Sequence, residues 1–202
     1  MNVEQVYKDA NALLEGHFLL ASGNHSSRYL QSAKVLEDPK RAQLLSNALA
    51  EMIKKSGIKV DTVCAPALGG VLAGYELARS LGVRSIFVEK KEGGMELRRG
   101  FEVQKGENIL ICEDIITTGG SAMKAALAIT ELGGNVVAFA SLANRGFCKR
   151  VGSKNEAKAE CKLFSSLPLF ALDDFTFEMY KPSECPMCKE GLSEAIKPGS
   201  KN

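Results

Sequence analysis

Apolar positions recur along the chain with two periods, and the switches between them mark the elements. Val3, Val6, Tyr7, Ala10, Leu13 and Leu14 fall near helical spacing and predict an amphipathic helix over residues 3–15. Residues 16–20 predict a short strand. Residues 22–28 form a polar loop, and Tyr29-Leu30 returns to apolar character. Asp38-Pro39 predicts a helix start, with Asp38 as N-cap and Pro39 in the first turn. Leu44, Leu45, Ala48, Leu49, Met52 and Ile53 predict its buried face, and Gly57 its end. Apolar runs near 60–65, 85–89, 108–112 and 135–142 predict strands, with helices over 71–81 and 122–132 between them. Residues 101–103, 161–167 and 175–177 carry weaker strand signals. The charged, glycine-rich stretch 90–100 predicts a mobile surface loop. Residues 148–160 read as exposed, and the Lys-, Pro- and Gly-rich tail over 181–202 as loosely packed.

Strands alternating with helices predict an α/β fold: a mostly parallel sheet with helices on both faces. Ligands of such sheets bind beyond the carboxyl ends of the strands. Four polar features fall at those ends: the 66–70 loop, the 90–100 stretch, the acid–threonine segment after residue 112, and Arg145.

Composition narrows the class without choosing a function. The 202 residues are 45% hydrophobic and 25% charged, enough for one α/β domain with a sizeable core. A net charge of +2 gives no electrostatic argument for nucleic acid. No run approaches the length of a membrane span, and the first residues lack the apolar core of a signal peptide, so a cytoplasmic protein is expected. Its six cysteines are then expected to be mostly reduced, with Cys64 and Cys112 serving as small hydrophobes inside strands.

The most informative stretch is Ile109-Leu-Ile-Cys-Glu113-Asp114-Ile115-Ile116-Thr117-Thr118-Gly119-Gly120-Ser121. A buried strand runs into two acids, then a small polar loop, then a helix. The loop collects N–H groups and hydroxyls at the positive end of a helix dipole, which suits a phosphate. The acids suit sugar hydroxyls, a metal or a cation. Together they point to a ribose phosphate. The nucleotide P-loop pattern is absent.

This segment resembles the phosphoribosyl pyrophosphate (PRPP) signature of type I phosphoribosyltransferases. Gly16-His-Phe-Leu-Leu-Ala-Ser22-Gly23-Asn-His-Ser26-Ser-Arg-Tyr29 is similar to the substrate segment of the orotate phosphoribosyltransferases. Cys64-Ala-Pro-Ala67-Leu68-Gly-Gly70 resembles their pyrophosphate loop, and Asn144-Arg145 their orotate-binding strand end. The resemblance implies that fold, with a small N-terminal hood built from residues 1–35 and part of the C-terminal region. It implies transfer of ribose 5-phosphate from PRPP to orotate, giving orotidine 5′-monophosphate and pyrophosphate. PRPP would meet Ala67, Leu68, Glu113, Asp114, Ile115, Ile116, Thr117, Thr118, Gly119, Gly120 and Ser121. Orotate would meet Thr117, Arg145, Ser22, Gly23 and Tyr29. A guanidinium offers a planar fork of donors to a carboxylate, which suits Arg145. Lys90, Lys91, Arg98 and Arg99 would form a catalytic, cationic lid over the leaving pyrophosphate. Mg²⁺ would be held mainly by PRPP rather than by side chains. A homodimer is implied, with no nucleic-acid or membrane partner.

Two departures concern the lid and the hood. The best-known branch carries a lysine where this chain has Ala21, and a histidine in the lid where residues 89–101 have none. Cys185-x-x-Cys188 is half of a zinc site; Cys148 and Cys161 would complete four ligands, but at a spacing that fits no common pattern, and reduced thiols are the plainer reading. A purine-base enzyme of the same fold and a non-catalytic PRPP-sensing regulator are the rivals. The N-terminal segment and Arg145 argue against the first, and the lid cations against the second.

Overall fold

The computed structural model describes residues 1–20, 22–191 and 193–198; Ala21, Leu192 and the last four residues lie outside the described part. The elements run α1 (Val3–Asp9), β1 (Leu13–Leu19), β2 (His25–Leu30), α2 (Ser32–Leu36), α3 (Pro39–Lys55), β3 (Thr62–Pro66), α4 (Gly70–Leu81), β4 (Arg84–Lys91), β5 (Gly94–Leu97), β6 (Asn108–Ile116), α5 (Gly120–Glu131), β7 (Asn135–Asn144) and β8 (Leu169–Asp174). A 3₁₀ turn (Pro182–Glu184) and α6 (Pro186–Lys189) close the series. The chain divides into two compact units. One is Met1–Val35 with Thr176–Asn202, the other Leu36–Phe175.

The larger unit holds a six-stranded sheet in the order β5-β4-β3-β6-β7-β8. All neighbours are parallel except β4 and β5. Alternation sets the two faces. Val63 and Ala65 face α4, where a Cβ on Gly74 would stand 2.8 Å from the Ala65 Cβ, so only glycine allows this approach. Cys64, Ile86, Val88, Ile109, Ile111 and Phe139 face α5 and pack on Ala122, Ala125, Ala126 and Ile129. Helices therefore cover both faces, as the βα alternation requires. Each fully buried Leu, Ile or Phe side chain contributes about 1.5–3 kcal/mol through removal from water.

The α3 start is as expected: Asp38 accepts from the Lys40 N–H at 2.9 Å, and Pro39 opens the helix. Its buried stripe is Ala42, Leu45, Ser46, Leu49, Ala50 and Ile53. Leu44, expected in the stripe, is 51% exposed. Ser46 takes its place because the 3.6-residue period puts residues 42, 46, 49 and 53 on one line.

Several expectations are corrected. The predicted helix over 3–15 stops at Asp9, because Leu13 and Leu14 enter β1 and pair with Leu30 and Tyr29 of β2. The polar loop over 22–28 is shorter than expected, since His25 to Arg28 already belong to β2. The stretch 90–100 is largely a hairpin: Lys91 pairs with Gly94 and Lys90 with Met95 across a Glu92-Gly93 turn, with Gly93 at φ 73°. Residues 101–103, 161–167 and 175–177 form no strand, and the last strand of the sheet is instead Leu169–Asp174. Cys148 and Cys161 are joined in a disulfide, so they are neither reduced nor available to a metal. The other four cysteines lie outside disulfides. Cys64 is fully buried, and burial pushes its thiol up to about 12, consistent with a hydrophobic role.

In the smaller unit, the tail expected to pack loosely is tied to the β1–β2 hairpin. His25 and Tyr180 exchange backbone hydrogen bonds at 2.8 and 2.9 Å, the Leu19 N–H donates to Ile196 at 2.8 Å, and the Ile196 N–H donates to His17 at 2.9 Å. Cys185 is fully buried. Composition predicted looseness because it does not register backbone pairing.

Candidate active site

Parallel strands bring the ends of β3, β4, β6 and β7 to one edge of the larger unit. β6 runs four residues beyond the apolar run, so Glu113, Asp114, Ile115 and Ile116 are strand residues; Glu113 pairs with Ser141, Ile115 with Ala143 and Ile116 with Asn144. The free loop is only Thr117–Gly119. Successive side chains then point to opposite faces. Asp114 lies on the α4 side, where a Cβ on Gly69 would come within 3.3 Å of its Oδ1. The glycine pair after Leu68 thus lets the 67–70 loop lie against the acid. Gly69 was not among the expected site residues, though Gly69-Gly70 is visible in the sequence.

Both acids are desolvated. Burial, then the neighbouring Asp114, raise Glu113 to about 8, and the Lys90 ammonium partly offsets them. Burial also raises Asp114, against backbone N–H donors that lower it. Two acids held this way await a partner of opposite charge or a set of hydroxyls.

The helix start after them is open. Gly119 is the N-cap of α5 in the left-handed region at φ 79°, and no side chain caps the helix. The first N–H groups of a helix have no intrahelical acceptor. They are left for an acceptor from outside the helix, and Thr117, Thr118 and Ser121 carry hydroxyls in the same segment. The loop is braced from behind: the Lys162 N–H donates to the Thr118 carbonyl at 2.8 Å, a contact with no signal in the sequence.

Ile116 offers the site backbone rather than a side chain. Its side chain is in the core, and its carbonyl accepts the Arg145 N–H at 2.8 Å. That bond places Arg145 next to Thr117 at the strand edge. The Arg145 side chain is buried, and its Nε donates to the Phe175 carbonyl at 3.1 Å. Asn144, also buried, donates to the Cys148 carbonyl at 2.7 Å and to Asp174 at 2.8 Å, fixing the turn after β7.

In the 67–70 loop the Ala67 N–H donates to Val88 at 2.8 Å, the Ala67–Leu68 peptide is cis, and the Leu68 side chain is exposed. The hairpin cations are exposed, and two are paired locally. Arg99 forks onto Glu89 at 2.8 and 3.0 Å, and Arg98 Nε donates to Glu96 at 2.7 Å. Lys90, at the end of β4, is the cation of this stretch whose charge reaches Glu113. Ser22, Gly23 and Tyr29 belong to the smaller unit, with Tyr29 in β2.

The phosphoribosyl transferase domain family matches residues 31–166. An orotate phosphoribosyltransferase of Sulfurovum sp. is 83% identical over 201 residues, covering all of both chains. The crystal structure of the orotate phosphoribosyltransferase from Aeropyrum pernix superposes with a TM-score of 0.68 at 24% identity, over 96% of this chain and all of that one. An adenine phosphoribosyltransferase from Thermoanaerobacter pseudethanolicus gives 0.58 at 24% identity, over 73% of this chain and 88% of that one. At that distance the likenesses establish the fold, which enzymes of different bases share, while the close relative speaks to the branch. The chain thus belongs to the phosphoribosyltransferase family, and within it to the orotate phosphoribosyltransferases.

Proposed function

We propose that the protein transfers the ribose 5-phosphate group of PRPP to orotate, yielding orotidine 5′-monophosphate and pyrophosphate for pyrimidine synthesis. The observation that carries this reading is Arg145, held at the end of β7 against the open Thr117–Gly119 loop by its N–H bond to Ile116. A phosphate cradle and a fork suited to a carboxylate thereby share one strand edge. A ring nitrogen of orotate attacks the anomeric carbon, and the C–O bond to pyrophosphate breaks. The α5 N-terminus and the Thr117, Thr118 and Ser121 hydroxyls hold the 5′-phosphate, Glu113 and Asp114 hold the ribose hydroxyls, and Arg145 with Thr117 orients the base. Ser22, Gly23 and Tyr29 remain orotate contacts on the resemblance alone.

Negative charge grows on the departing pyrophosphate, and preorganised cations are what such a step needs. Lys90, Lys91, Arg98 and Arg99 supply them. Arg98 and Arg99 must exchange Glu96 and Glu89 for the pyrophosphate as the hairpin closes over it. The oxygen donors of Glu113 and Asp114 are of the type a hard cation takes, but burial favours their protonated forms, so substrate phosphates are its better ligands. Mg²⁺, held mainly by PRPP, would neutralise pyrophosphate charge there. A homodimer and a cytoplasmic setting belong to the same proposal. The exposed Leu68, Leu72 and Tyr75 support the first.

The test is consumption of orotate, uracil, hypoxanthine and adenine in turn with PRPP and Mg²⁺. Orotate alone should react. Turnover of a purine instead would replace the substrate, and PRPP binding without turnover of any base would favour a sensor. Arg145→Ala should abolish orotate use while leaving PRPP binding within a few fold; equal loss of both would remove Arg145 from the base site.

A further inference from the structure

The smaller unit gathers both histidines of the chain and two of its cysteines at one point. His17 lies in β1 and His25 opens β2 across the hairpin. Cys185 and Cys188 flank the first turn of α6. One donor atom from each of the four lies within 4.8 Å of every other. His17 Nε2 is 3.5 Å from Cys185 Sγ and 3.6 Å from Cys188 Sγ, and His25 Nδ1 is 3.3 Å from Cys188 Sγ. A tetrahedral zinc with Zn–N near 2.05 Å and Zn–S near 2.3 Å requires N···S edges of about 3.6 Å. The two imidazole nitrogens stand 2.8 Å apart, somewhat inside the N···N edge of about 3.3 Å for such a site.

We propose that His17, His25, Cys185 and Cys188 form a structural zinc site that closes this unit. Three further observations favour it. The other ring nitrogen of His17, Nδ1, donates to the Ser193 carbonyl at 2.7 Å, which fixes the tautomer and turns the Nε2 lone pair toward the cluster. Metal-binding histidines are oriented by such a bond. His17, His25 and Cys185 are buried, so three of the four donors are already out of water, while Cys188 is exposed and leaves a route for entry. Finally, the unit has only about sixty residues, built from the two ends of the chain. Units of that size commonly need a staple. Two thiolates and two imidazoles, with no carboxylate among them, select zinc over magnesium or calcium. Four ligands leave no open position, so the role is structural rather than catalytic. The cysteines thus find the partners that complete the half-site in the histidines, not in Cys148 and Cys161.

The competing state is a Cys185–Cys188 disulfide beside a His17–His25 hydrogen bond. Metal analysis of protein purified without chelator, together with intact mass under denaturing, non-reducing conditions, separates the two. The proposal expects one zinc per chain, and alkylation of Cys185 and Cys188 once the metal is released. Zinc below about a tenth of an equivalent, with both cysteines refractory to alkylation, overturns it. Because Cys185→Ser can misfold, the second measurement uses the intact chain. Protein refolded with Co²⁺ should show the intense visible bands of tetrahedral cobalt and thiolate-to-cobalt charge transfer. A pale, octahedral spectrum overturns the site. Neither readout depends on catalysis, so the result stands whichever base the larger unit uses.

Discussion

Glu113 shows how a single side chain can be costly for stability and useful for binding. In the fold it titrates near 8, against 4.5 for the ordinary group, chiefly because it is desolvated and next because Asp114 lies beside it. A raised carboxyl contributes stability that is fully present below about pH 4.5 and is lost as the pH rises through about 8. Asp114, raised for the same first reason, acts in the same direction. Glu113→Gln should therefore raise the melting temperature of the ligand-free protein more at pH 9 than at pH 5. Thermal unfolding at the two pH values measures this, and an equal gain at both would show that the carboxyl is solvated. The sequence made the acid pair legible, since two acids after an apolar run must end up near a buried strand. It did not make the pKa legible, because that depends on Gly69 lying against Asp114 and on Lys90 reaching over from β4.

Among the elements, the strand–loop–helix of β6 and α5 followed most directly from sequence, and the lid least. The β6 run, the Gly119-Gly120 pair and the alanine-rich α5 each carry a local signal, and all three agree. The hairpin of β4 and β5 has charges where a strand usually has alternation, and it places Glu89 opposite Glu96. Like charges in that position are destabilising. Here Arg99 and Arg98 neutralise them one apiece, and that pairing holds a charged stretch in register. The β1–β2 hairpin was half hidden for another reason: Leu13 and Leu14 fit a helical period and a strand equally well. Gly119 gives the sharpest test at this scale. Its φ of 79° is strained for any other residue, and a Cβ added there would meet the Leu163 side chain, which would have to shift to admit it. Gly119→Ala should cost about 2–3 kcal/mol, a drop of roughly 4–12 °C in melting temperature. Adding Leu163→Ala should return part of that loss, because the two sites share the contact. A single variant as stable as the parent would mean that the loop does not adopt this turn.

For the molecule as a whole, the exposed apolar residues carry the remaining argument. Leu72 and Tyr75 are 55% and 60% exposed on α4, and Leu68 is 86% exposed in the loop just before it. Leu72 and Tyr75, three residues apart on α4, share one face and make a short apolar stripe, with Leu68 in the loop before it. A stripe of large apolar side chains beside a ligand loop is where an isologous contact would bury the most apolar surface. A second copy of the chain is the occupant implied by the family, and it would place the ligand loops of both copies near the contact. Light scattering should then give twice the 21.7 kDa chain mass at micromolar concentration. Leu72→Glu, which buries a charge in any such contact but only extends into water in a single chain, should give the single-chain mass without lowering zinc content or PRPP binding to the larger unit. A parent protein that is already monomeric would overturn the dimer, and a variant that stays dimeric would move the interface away from α4.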